Sequence, residues 1–235
     1  MRYAIYFAPD PVSALADLAA SWIGRDAQTG RPVPRPALDA LGADELAGLT
    51  GPARRYGFHA TLKAPFSLAE GVSEQDLVKA IEAFCAERPS FHLDGLRAGT
   101  IDGFLALLPV GDVRELNGFA GEVVTAFDGL RAELSERDIE RRNPEQLSLS
   151  ELRNLMRWGY PYVFDCFRFH MTLTSRLPDK DRERILAAAC EHFAPVTGQP
   201  ILIDALTLFV EPEPGAPFRI HSRTPLAPGQ QRKTA

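Results

Sequence analysis

The sequence predicts an α+β fold made of two related halves. Three observations predict it. The pattern His-x-Thr-Leu is written twice, at 59–62 and at 170–173. Each copy sits in a run that alternates like a strand, and each is followed by a helical stretch and two further strand-like runs. The second copy falls about half the chain length after the first, which implies two duplicated lobes rather than a solenoid of short repeats.

The elements follow in order. The opening RYAIYFAP alternates as a strand, and DPVSALADLAASWIG then offers Asp10 as N-cap, Pro11 at the first helical position and an apolar stripe of Val12, Leu15, Ala19 and Trp22. RDAQTGRPVPRP is a Gly/Pro-rich loop and ALDALGADELAGL a weak helix. After the first His-x-Thr segment, Ser73 and Asp76 make a capping-box pattern ahead of a helix with Leu77, Ile81, Phe84 and Cys85 on one face. SFHLDGLRAG and IDGFLALLPV read as strands. Leu116, Phe119, Val123, Phe127, Leu130 and Leu134 recur at helical spacing, predicting the longest amphipathic helix of the chain over 115–134 as a link between the halves. Residues 136–165 read as an insertion near the site: charged, then helical around 152–156, then aromatic. Past the second motif, Asp179 leads a helix carrying Ile185, Leu186, Ala189 and Phe193, and PILIDALTLFV and FRIHSRT are strands. Residues 1–224 are thus expected as one bilobal domain, and 225–235 as a disordered tail.

Composition narrows the function. Hydrophobic residues at 45% and charged residues at 24% describe a globular chain. A formal net charge of -5 supplies no global attraction for a nucleic-acid backbone, so long nucleic acid is disfavoured and any anion site must be a local basic cluster. Cys85, Cys166 and Cys190 are too far apart for a zinc knuckle or a CxxC pair and odd in number for a disulfide framework, which suggests free thiols. MRYAIYFAPDP lacks the apolar core of a signal peptide, and no run approaches the ~18 apolar residues of a membrane span. A cytoplasmic protein without membrane partners is expected.

Alternate side chains of a strand share a face. One face of the first segment therefore carries Arg55, Gly57, His59, Thr61 and Lys63, and one face of the second Arg168, His170, Thr172, Thr174 and Arg176. Packed about a pseudo-twofold axis, these faces would meet across a cleft lined by two histidines, several hydroxyls and four cations. Such a cleft suits a phosphate ester. An imidazole titrates near pH 6.5, so one ring can serve as base and the other as acid. Threonine hydroxyls can donate to phosphoryl oxygens, and Lys or Arg can stabilise the charge that builds on them. No Asp/Glu/His set at ligand spacing suggests a metal, and no cofactor is expected. His92, His192 and His221 lack the motif's context and are left outside the site. RWGYPYVFD is either an aromatic core cluster or a wall, formed by Trp158, Tyr160 and Tyr162, close to His170. Arg141 and Arg142 belong either to a solvated charged face or to a second phosphate site.

The paired HATL and HMTL resemble the signature of the two-histidine (2H) phosphoesterase superfamily, which includes RNA cyclic phosphodiesterases and 2′-5′ RNA ligase-like proteins. MRYAIYFAP, RYGFHATLKAPF and RWGYPYVFDCFRFHMTLT further resemble the branch associated with phosphonate catabolism, over most of the chain. The resemblance implies a bilobal fold of pseudo-symmetric strand-helix modules with antiparallel sheets facing a central cleft. It also implies catalytic roles for His59, Thr61, His170 and Thr172. The expected activity is a metal-independent cyclic phosphodiesterase, a hydrolase of a small phosphorylated cyclic phosphate, with 5-phosphoribosyl 1,2-cyclic phosphate the best single guess. Lys63, Arg55, Arg168, Arg176, Tyr160, Tyr162 and Trp158 are the expected substrate-binding residues. The alternatives are an RNA-end 2′,3′-cyclic phosphodiesterase or ligase-like enzyme, and a non-catalytic protein that binds a phosphorylated metabolite.

Overall fold

In the computed structural model, which describes residues 1–229, the opening alternation forms β1 (Arg2–Phe7) and is followed by α1 (Ala14–Ile23). The helix begins later than expected. Ser13, not Asp10, is the N-cap, its hydroxyl accepting from Ala16 N, while Asp10 accepts from Val12 N at 3.0 Å in the preceding turn. Val12 is therefore exposed, and Leu15, Ala19 and Trp22 carry the stripe inward together with Ile23.

The chain continues through α2 (Ala43–Leu49), α3 (Gly51–Tyr56), β2 (Ala60–Phe66) and α4 (Glu74–Ala86), whose Ser73–Asp76 capping box forms as expected. Then come β3 (Phe91–Leu93), β4 (Gly95–Ile101), β5 (Phe104–Val110) and α5 (Arg114–Ala126). The link helix is thus shorter than its apolar spacing suggested. Phe127 leaves helical geometry at φ -104° and ψ 9°, and a 3-10 turn at Asp128–Leu130 follows, because Asp128 turns to meet Arg131, Arg157 and Lys63 at 3.1, 3.0 and 3.7 Å. The insertion holds α6 (Glu136–Glu140) and α7 (Leu149–Trp158), each opened by its own capping box. After β6 (Met171–Thr172) come α8 (Asp179–Phe193), β7 (Ile201–Ile203), β8 (Ala205–Glu211) and β9 (Arg219–Pro225). At 15 residues α8, not the link, is the longest of the described helices.

The strands form an antiparallel seven-stranded sheet in the order β4-β5-β6-β2-β1-β8-β9. The duplication is visible in it. β2-α4-β3-β4-β5 repeats as β6-α8-β7-β8-β9, and the equivalent strands β3 and β7 pair with each other in a separate two-stranded ribbon. Each half sends its hairpin across: β5 pairs with β6, and β8 pairs with β1 beside β2. The two halves of the large sheet meet at one bridge pair, Ala60 with Met171. Helices cover the other face, and Ile5, Leu62, Leu107, Met171 and Leu208 join Trp22, Phe127 and Phe193 in a common core.

The tail departs from expectation as far as it is described. Leu226 is buried, its N–H donates to Asp204 O, and Ala227 N and Gly229 N bond Cys85 O and Ser90 Oγ. Residues 230–235 lie outside the described residues. No described helix is long and apolar enough to cross a membrane.

Candidate functional site

The bridge between Ala60 and Met171 sets the centre of the site. Continued by one residue each way, that antiparallel register puts His59 across from Thr172 and Thr61 across from His170, so all four side chains share a sheet face. His59 enters β2 through Gly57, whose φ of +81° favours glycine and whose added Cβ would stand 2.7 Å from Ala27 Cβ. β1 supplies the neighbour. Tyr6, itself buried, stacks on His59 with ring centroids 3.8 Å apart and 18° between planes.

Both imidazoles are held in the same way. His59 Nδ1 lies 2.9 Å from Gly57 O, and His170 Nδ1 lies 2.7 Å from Arg168 O. A carbonyl only accepts, so each Nδ1 carries the proton and each neutral ring keeps Nε2 as an acceptor. For His59 that lone pair takes the Thr61 hydroxyl at 3.2 Å. Burial pushes the His59 pKa down to about 4, with the Gly57 carbonyl opposing and His170 adding to the shift. Burial also lowers His170, while the Arg168 carbonyl and Asp102 favour its proton and the Arg168 guanidinium opposes it. In the free protein both rings are mainly neutral at pH 7.

A cleft of about 920 Å³ opens over these groups, lined by His59, Thr61, Thr172, Arg55, Arg176 and Tyr160 among the expected residues. His170 borders it through Phe104, a lining residue whose ring is 5.6 Å away.

Four expected binding residues are placed elsewhere. Lys63 does not share the histidine face. Irregular register between β1 and β2 sets Thr61 opposite Tyr6 but Lys63 opposite Ile5, turning the lysine into the core, where its ammonium donates to Val124 O at 3.1 Å. Burial lowers its pKa to about 8, against the pull of Asp128. Arg168 turns outward to Asp102, and Tyr162 is exposed at the edge of Tyr160. Trp158 lies between Phe164 and Arg157, at 5.0 and 4.2 Å. The second motif also fails to run as a long strand. Leu173 N and Thr174 N both reach Leu105 O, Thr174 Oγ1 accepts from Leu105 N, and Ser175 N bonds Leu49 O, so the chain curls away after Thr172. Thr174 thus has a backbone-holding role.

The cleft also contains groups that sequence reasoning missed: Arg2, Tyr6, Tyr56 and Glu211. A signal existed for two of them, since the alternation of RYAIYF puts Arg2 and Tyr6 on one strand face. Among the described residues, no group of three or more His, Cys, Asp or Glu is arranged to hold a metal ion.

Comparison with known proteins gives the following. The chain is 43% identical over 230 residues to "Ribose 1,5-bisphosphate phosphokinase PhnN" of Janthinobacterium sp. (strain Marseille), covering 96% of this chain and 51% of that protein. It is 42% identical over 221 residues to the protein of the same name from Laribacter hongkongensis (strain HLHK9), covering 94% and 50%. The chain therefore spans about half the length of these curated relatives. A solved structure, TT0787 of Thermus thermophilus, aligns over 98% of this chain and all of its own with a TM-score of 0.47 and 15% identity. Residues 61–219 match the family described as "Protein of unknown function (DUF1045)", and with more than half of its length inside that match the chain belongs to this family.

Proposed function

We propose that the chain is a metal-independent cyclic phosphodiesterase of the two-histidine type, acting on a small phosphorylated cyclic phosphate. The observation that carries this reading is the matched pair of imidazoles. Each is fixed through Nδ1 to the carbonyl two residues earlier, and each has a threonine hydroxyl across the bridge. His59, with the more strongly lowered pKa, suits the base, and His170, with Asp102 favouring its proton, suits the acid. The negative charge of a bound phosphate raises both pKa values and lets His170 take up a proton. As the water oxygen bonds phosphorus, its proton passes to His59 Nε2; the phosphorus–oxygen bond to the sugar breaks as His170 gives its proton to the leaving oxygen. Thr61 and Thr172 donate to the non-bridging oxygens.

The name the relatives carry supports the choice of 5-phosphoribosyl 1,2-cyclic phosphate. Hydrolysis of that diester at the bond to O2 gives ribose 1,5-bisphosphate, the compound in the name, as expected for chemistry linked to phosphonate catabolism. The kinase activity is not our reading for this chain, in which no glycine precedes a lysine and the G-x-x-x-x-G-K-[ST] phosphate loop is not written.

The test is turnover, with EDTA present, of the ribosyl 1,2-cyclic phosphate beside nucleoside 2′,3′-cyclic phosphates, with products identified by ³¹P NMR. Ring opening of the ribosyl compound is expected. Activity that EDTA abolishes and a divalent ion restores would refute the metal-independent mechanism, and preference for the nucleotides would refute the substrate.

A further inference from the structure

Beyond Tyr6 the cleft wall carries a second polar cluster, built around a buried carboxylate. The Glu211 side chain is 1% exposed and uses both oxygens: Oε2 accepts from Arg2 Nε at 2.5 Å, and Oε1 accepts from Arg55 Nη2 at 2.6 Å and from Gly215 N at 3.1 Å. β1 and β8 put Arg2 directly opposite Glu211, so the sheet register itself holds this pair. Arg2 and Arg55 both line the cleft, and the buried Arg55 Nε has no hydrogen-bond partner among the described residues. Arg142 reaches in from the insertion, lying over the Tyr160 ring at 4.8 Å, with no carboxylate partner among the described residues. Tyr6 lies within electrostatic reach of Tyr56, Tyr160, Arg2 and Arg142, which brings phenol and guanidinium groups to one place.

We infer that Arg2, Arg55 and Arg142, with the tyrosine hydroxyls, form a pocket for the terminal phosphomonoester of the substrate, and that Glu211 is a positioning residue for the two arginines it clamps. Which ester reacts rests on the function proposed above; the pocket adds how the non-reacting phosphate is recognised. Charge and geometry support it together. Three guanidiniums against one carboxylate leave two positive charges for a phosphate dianion, and the nearby Arg141–Asp138 pair at 3.1 Å cancels itself. Guanidinium forks held by a buried anion present paired N–H donors in fixed directions, the geometry that phosphate oxygens accept. The same wall is poorly suited to stacking a nucleobase. One face of Tyr6 is covered by His59, one of Tyr56 by Phe218 at 5.0 Å, and one of Tyr160 by Arg142.

The test uses D-ribose 5-phosphate and D-ribose as probes in calorimetric titrations of the full chain. Ribose 5-phosphate should bind at least about tenfold more tightly than ribose, and Arg2→Gln, Arg55→Gln and Arg142→Gln should each weaken it at least about tenfold, as loss of a charge-assisted bond implies. His92→Gln, exposed on β3 and outside the cleft lining, should change that affinity by less than about threefold. Arg142 touches only the Tyr160 ring in the wall, so Arg142→Gln remains informative if the clamp variants fail to fold. Equal affinity for the two probes, or unchanged affinity in the folded arginine variants, overturns the pocket. Arginine-dependent binding without turnover of any cyclic phosphate leaves the pocket standing and refutes the hydrolase. Turnover that ignores the 5-phosphate refutes the pocket alone.

Discussion

Lowering the pH from 7 to 4 should destabilise the protein through one identifiable ring, and this can be measured without any substrate. His59 takes a proton at about pH 4 in the folded chain and at 6.5 in the unfolded one. Between those values the unfolded chain binds more protons, so stability is fully present above pH 6.5 and is lost as pH falls toward 4. A separation of about two and a half pH units, at ~1.36 kcal/mol per unit, amounts to about 3 kcal/mol. Screening at the open side of the cleft makes this an upper figure. The physical source is the position of the ring: stacked on the buried Tyr6, with Nδ1 committed to Gly57 O and Nε2 to Thr61, it has little water with which to solvate a charge. Urea denaturation of wild type and His59→Gln at pH 7, 5.5 and 4 separates this ring from the carboxylates, which titrate in both proteins. Wild type should lose up to about 3 kcal/mol more than the variant over that range. Parallel losses would show that His59 is not held neutral, and the assignment of it as a ready base would fall.

Other outcomes follow from the same geometry. His59→Ala and His170→Ala should each lower kcat by about 10²- to 10⁴-fold with folding retained, and near wild-type turnover by either variant would exclude the pair. The kcat/KM profile should be a bell whose acid limb follows His59 near pH 4 and whose basic limb falls below pH 6.5, because both free-enzyme pKa values are lowered; a basic limb above 6.5 would contradict this. Thr61→Val removes the donor to His59 Nε2 and to the phosphoryl group, so kcat/KM should drop by an amount equivalent to about 2–4 kcal/mol, against no change if the hydroxyl is only structural. Lys63→Met should alter stability by less than about 1 kcal/mol, since Asp128 keeps Arg131 and Arg157 and a buried ammonium is exchanged for an apolar chain of similar length; a loss above about 3 kcal/mol would show that Asp128 depends on the lysine.

The sequence by itself determined the duplication, the order of the main elements and which four residues the register brings together as the candidate site. Those follow from local rules: alternation marks β1 and β2, apolar runs mark β5 and β8, the Ser73–Asp76 pair marks the start of α4, and two copies of His-x-Thr-Leu mark the candidate site. Tertiary structure decided which way side chains turn. Alternation placed Lys63 beside His59, but the irregular pairing of β1 with β2 turns it into the core. Apolar spacing carried the link helix to Leu134, but Asp128, drawn to three cations from three separate parts of the chain, stops it at Ala126. Glu211 carries no local mark at all, because its role comes from standing opposite Arg2 across the sheet, 209 positions away in sequence. Spacing reports contacts between neighbours in the chain; register, bulges and shared counter-ions join residues that are distant in it, and they decide which charges meet the ligand.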